Sequence, residues 1–134
     1  MYNYIMDKKY LEDRLRELGI YSEYYHRLEL KLLAQVVPYD EQINCILTGV
    51  YEGSRRLCAV TQSRILIISS GVLDQKGGII IPRNKVTSWN FDKKFLLSSA
   101  SFTADGKKYE FKQTQAGRKD LFEWAMNQPV KEYD

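Results

Sequence analysis

Two hydrophobic periods divide the chain. In the first third, Leu11, Leu15 and Leu18 recur at helical spacing, and Gly19 stands where a helix C-cap belongs. Ser22 and Glu23 start a second expected helix, which runs to about Val37 and is ended by Pro38. On that helix Tyr21, Tyr24, Tyr25, Leu28, Leu32 and Val36 form one apolar stripe, and Leu30, Leu33 and Val37 a second. A helix apolar on two sides has to be covered twice.

From about Gln42 the period becomes alternating and turn signals arrive at short intervals. A strand ending near Glu52, a Gly53-Ser54 turn and a strand from Arg55 to Gln62 place Cys45, Leu47 and Gly49 on one face with Cys58 and Val60. A tight turn at Gln62-Ser63 leads into the apolar strand from Arg64 to Ser69. Residues 71–78 read as a loop, followed by strands at Ile79–Pro82 and Val86–Phe91. Asp92-Lys93-Lys94 turns into a strand expected from Phe95 to Ala104. Asp105-Gly106, the clearest hairpin signal, sets Phe102 opposite Tyr109 and Ala100 opposite Phe111. Thr114 is the expected N-cap of a last helix through Asn127, ended by Pro129. The order is two helices, seven short strands and one helix, with a boundary at residues 38–40.

Seven antiparallel strands capped by a C-terminal helix resemble the pleckstrin-homology (PH) fold, and three stretches resemble its bacterial, YokE-like branch. These are Ala59-Val60-Thr61-Gln62-Ser63-Arg64-Ile65-Leu66-Ile67, then Ile80-Ile81-Pro82-Arg83-Asn84-Lys85-Val86, then Lys108-Tyr109-Glu110-Phe111 before a helix holding Phe122 and Trp124. The resemblance spans residues 42–128. It implies an α+β fold, a PH-like barrel or orthogonal sandwich over residues 41–134, while residues 1–40, a two-helix extension, lie outside the family's core. It also implies a binding module, because these motifs set strand geometry and do no chemistry. PH domains that grip phosphoinositides use bases at the end of the first strand and along the second. Arg55 and Arg56 match the latter, whereas Val50-Tyr51-Glu52 puts an acid at the former.

Composition narrows the function classes. The 134 residues suit one core-forming domain, and 44% hydrophobic and 13% aromatic content argue against disorder. The net charge of +3 divides into −1 over residues 1–40 and +4 over the remainder. That is too sparse for the basic stripe of a dedicated nucleic-acid binder. The longest apolar run, Ile65–Ile68, is far short of the ~20 residues that span a bilayer. Cys45 and Cys58, both inward-facing, read as buried thiols of a reducing compartment, so a cytoplasmic location is expected. His26 and the two cysteines are too few for an N/S zinc site. Gly77-Gly78 lacks the Lys-Ser/Thr of a phosphate loop. No catalytic residue, metal or cofactor is expected.

Two surfaces compete as binding sites. The stripe of Tyr21, Tyr24, Tyr25, Leu28 and Leu32 suits a protein partner or self-association through the N-terminal helices. Arg55, Arg56, Lys76, Lys93 and Lys94 fall on loops that a simple up-and-down order gathers at one barrel mouth, where phosphorylated lipid, nucleic acid or an acidic surface would bind. The leading expectation is a non-enzymatic adaptor or stoichiometric inhibitor of a protein partner, such as a phage or mobile-element factor. Anion binding through the basic loops is the alternative, and membrane or nucleic acid are the less expected partners.

Overall fold

The computed structural model describes residues 8–24, 33, 37, 41–68 and 78–132. Two helical segments, α1 (Lys8–Glu17) and α2 (Tyr21–Tyr24), precede seven strands: β1 (Ile43–Tyr51), β2 (Ser54–Thr61), β3 (Arg64–Ile68), β4 (Ile79–Pro82), β5 (Val86–Asp92), β6 (Leu97–Ala104) and β7 (Lys107–Gln115). A 3-10 turn at Ala116–Arg118 leads into α3 (Lys119–Asn127). The strands form one antiparallel sheet in the order β4-β3-β2-β1-β7-β6-β5. It is a seven-stranded PH-like sheet with a C-terminal helix and N-terminal helices, as expected.

The pairings follow the sequence closely at the hairpins. Cys45 lies opposite Val60 and Leu47 opposite Cys58, and Phe102 pairs with Tyr109 and Ala100 with Phe111. The first turn falls one residue earlier than expected, at Glu52 and Gly53. Their φ values of 50° and 82° are the both-positive pattern whose twist matches two-residue hairpins. Asp105 and Gly106 repeat it at 50° and 79°. The halves β4-β3-β2-β1 and β7-β6-β5 join where Val50 meets Lys112. Gly49 permits that join, because a Cβ there would lie 2.8 Å from the Lys112 carbonyl oxygen.

Between the halves lies one core of Cys45, Leu47, Tyr51, Cys58, Val60, Ile65, Ile67, Phe91, Phe102 and Phe111, closed by Phe122, Ala125 and Met126 of α3. A second core lies on the other face of β1–β3. There Leu11, Leu15 and Ile20, with Leu33 and Val37, bury Ile43, Ile46, Leu57, Ala59, Leu66 and Ile68. The N-terminal helical segment therefore packs on the sheet.

Two polar knots explain the sequence motifs at the strand ends. Thr61 Oγ accepts the backbone N–H groups of Ser63 and Arg64 at 3.1 and 3.0 Å and donates to Glu41. Glu41 is fully buried, with the Arg64 guanidinium 2.9 Å from its other oxygen. A buried carboxylate needs such pairing. Arg83, also buried, donates to the carbonyls of Thr61, Gln62, Met126 and Gln128 at 3.0–3.4 Å. It thereby satisfies the end of α3 and locks that helix to the β2–β3 turn. Burial pulls its pKa below the ordinary value.

Two expectations are revised at element boundaries, and a third lies largely outside the described residues. Thr114 is no N-cap: it is buried inside β7, and Arg118 stands at the N-cap of α3 without a side-chain cap bond. Buried Arg118 instead pairs with Glu23 at 2.7 Å, tying α3 to α2. Phe95 and Leu96 precede β6, which starts at Leu97. Of the expected helix from Ser22 to Val37, only α2 and the isolated residues Leu33 and Val37 are among the described residues.

Candidate functional site

Among the described residues, the β5–β6 hairpin carries the most unusual surface. Phe91 ends the inward series of β5, Asp92 is exposed, and Ser98 and Ala100 resume burial on β6. The residues between have no inward slot to fill. A hydrogen bond from the Lys94 N–H to buried Ser98 Oγ at 3.0 Å closes the loop and turns the following side chains outward. Phe95 is 96% exposed, Leu96 77% and Leu97 55%. Three consecutive large apolar side chains on one tip, preceded by exposed Lys93 and Lys94, are not the scattered exposure that ordinary surfaces show. Lys94 lies 3.5 Å from Asp92 in an exposed pair, so the segment 92–94 retains one net positive charge.

The anticipated basic mouth is divided. Arg55 faces Val50, Val50 faces Lys112, and Asp92 faces Ser99 on the far side of β6. Arg55 and Arg56 are thus four strands along the sheet from the Lys93-Lys94 tip. Parity along the chain fails because the β4–β5 link carries the chain from one half of the sheet to the other without a hairpin reversal. Arg55 reaches the Gln113 carbonyl at 3.4 Å, and Arg56 bonds Ser54 Oγ at 2.9 Å. The neighbour of the β1–β2 turn is β7. An open groove of about 420 Å³ lies there, lined by Tyr51, Glu52, Gly53, Lys108, Glu110 and Lys112. Its two lysines face two glutamates, so it has no strong preference for anions. Lys76 lies outside the described residues.

Of the tyrosine stripe, Tyr25, Leu28 and Leu32 lie outside the described residues, and Tyr24 belongs to α2. Tyr21 is half-buried against the second core, with the Arg16 guanidinium 4.1 Å from its ring centre. Among the described residues, the helical segment turns Leu11, Leu15 and Ile20 toward the sheet.

Neither thiol offers nucleophilic chemistry. Cys45 and Cys58 are free and buried. Burial pushes the Cys45 thiol from 9.0 up to about 12, against a smaller opposing pull from Arg118. Burial, and then the neighbouring Cys45, push Cys58 up as well. A reactive cysteine needs the opposite shift. His26 lies outside the described residues. Among the described residues no three His, Cys, Asp or Glu side chains cluster as metal ligands, and no helix is long and apolar enough to cross a membrane.

The family model of the bacterial PH domain matches residues 38–122, from just before β1 into α3. The chain belongs to the bacterial PH domain family. No curated protein matches it. The matched region contains all seven strands and leaves α1 and α2 outside, so the second core is built between matched strands and residues outside the match. PH domains are generally binding modules without catalysis. Among the described residues, its Phe95-Leu96-Leu97 tip is a run of three adjacent exposed apolar side chains, which the alternating pattern concealed. Read as the start of a strand, these residues pass for core. The missed signal is that three adjacent apolar residues cannot all face inward on a strand covered on one side.

Proposed function

We propose that this bacterial PH domain is a non-enzymatic adaptor that docks on another macromolecular surface through the β5–β6 tip. The observation that supports it is the outward projection of Phe95, Leu96 and Leu97 from a hairpin whose flanking residues are anchored in the core. Apolar side chains on a convex, well-supported tip contribute most when a partner removes them from water. Stoichiometric binding, as adaptor or inhibitor, is the mode such a surface serves. The two free thiols suit a cytoplasmic protein. The Thr61-Arg64 and Pro82-Val86 motifs favour the YokE-like branch, with residues 1–40 as a helical extension of a PH domain spanning 41–134.

The test is capture from a cell extract that retains its membranes, with wild type and the double variant Phe95→Asp/Leu96→Asp compared. The variant is expected to lose the captured species while its thermal unfolding stays that of wild type. Equal capture by both would refute the tip as the contact surface.

A further inference from the structure

We infer that the surface met by the tip is the headgroup region of an anionic lipid bilayer, with Phe95, Leu96 and Leu97 entering the interface and Lys93 and Lys94 resting on the acidic headgroups. This rests on the docking role given to the tip above and names what it docks on. Three observations carry it. The apolar group is convex and continuous along the chain, which suits insertion into a soft interface and needs no matching pocket. Phe95 is 96% exposed, so it has almost no packing in the folded chain to lose on insertion. The two lysines directly precede the apolar residues, and long lysine side chains keep their charge at headgroup level while their stems lie along apolar surface.

The charge pattern favours acidic lipid over a neutral surface. Asp92 offsets one lysine, leaving the tip positive within a chain of net charge +3. Binding of this kind reads surface charge and interfacial depth rather than the stereochemistry of one headgroup. That distinguishes it from a grip on an inositol phosphate. The β1–β2 turn, with Arg55 and Arg56 bonded to Gln113 and Ser54, belongs to the other half of the sheet and takes no part.

The experiment is vesicle flotation of the full chain with phosphatidylcholine alone, with added phosphatidylglycerol, and with added phosphatidylinositol phosphate. In parallel, Leu96→Cys is labelled with an environment-sensitive dye. Cys45 and Cys58 are buried and un-ionised, so the introduced thiol is the one that reacts readily.

Wild type is expected to float with phosphatidylglycerol vesicles and to release as salt rises, and the labelled Leu96→Cys chain to shift its dye emission to the blue. Each of Lys93→Glu and Lys94→Glu should weaken binding by about fivefold or more, and Phe95→Asp/Leu96→Asp should abolish it. Flotation unaffected by the aspartate pair would overturn the inference, as would binding that requires the inositol phosphate and persists in that pair. If wild type does not float but self-associates, and the aspartate pair makes it monomeric, the inference fails while the docking role of the tip stands. If wild type does not float and the aspartate pair changes neither association nor capture from extract, both fail together.

Discussion

In β1 to β3 the stretches 43–49, 57–61 and 65–68 are buried without a break, whereas β6 alternates buried and half-exposed residues from Ser98 to Ala104. Both belong to one antiparallel sheet. The difference is the number of covers. β1–β3 lie between the inner core and the layer made by Leu11, Leu15 and Ile20, while β5–β7 have the inner core on one side and, among the described residues, solvent on the other. Side-chain alternation therefore reports what lies on each face of a strand, not the strand itself. Where one face is free, a chain can also present something on it, and the Phe95 tip grows from that freer half.

Removing the second cover should have the largest effect. Deleting residues 1–24 strips Leu11, Leu15 and Ile20 from the sheet, and each such side chain contributes about 1.5–3 kcal/mol. Against a typical total of about 5–15 kcal/mol, the truncated chain is expected to aggregate or melt without cooperativity, read by light scattering and calorimetry. A truncated chain with an unchanged melting curve would mean the second core is dispensable.

Ile46→Ala, on the outer face of β1, should cost about 2–5 kcal/mol in chemical denaturation. Ser101→Ala, on the freer face of β6, should stay within about 0.5 kcal/mol. Equal costs would break the contrast between the halves. Arg83→Lys is expected to cost about 1–3 kcal/mol, because one ammonium cannot hold four carbonyls fanned around a guanidinium.

The thiols predict a pH effect. Cys45 stays neutral in the fold up to about pH 12, whereas in the unfolded chain it ionises near 9.0. A group whose folded pKa is raised contributes its stability below the unfolded pKa and loses it as pH rises toward the folded one. The melting temperature should therefore fall as pH climbs above about 9, and fall less steeply in Cys45→Ala/Cys58→Ala. Smallest of all, Phe95→Ser should change stability by no more than about 0.5 kcal/mol, as measured by the same denaturation.

Much of the inner core was legible because hairpin chemistry is local. Asp105-Gly106 admits one register, and that register alone pairs Phe102 with Tyr109. The apolar strand at Ile65–Ile68 and the helical spacing of Leu11 and Leu15 were legible, but that they meet was not, because it depends on contacts across tens of residues. The ends at which loops gather were not legible, because one link between the two halves decides them and no residue near Arg55 or Lys94 encodes it. The tip was hidden for a related reason: apolar residues are assigned to the interior by default, and only the anchored position of Ser98 shows that Phe95 has nowhere inside to go.

The second core also imposes an order in time. Leu11, Leu15 and Ile20 leave the ribosome well before their partners, and Ile68, the last of these, follows Ile20 by roughly 50 residues, a delay of several seconds at ordinary rates of synthesis. The Arg118–Glu23 pair can close only after residue 118 has emerged, some 95 residues behind Glu23. During that interval α1 carries an apolar face with nothing to cover it. Slowing translation before β1 should therefore prolong that exposure and increase losses of the nascent chain to aggregation.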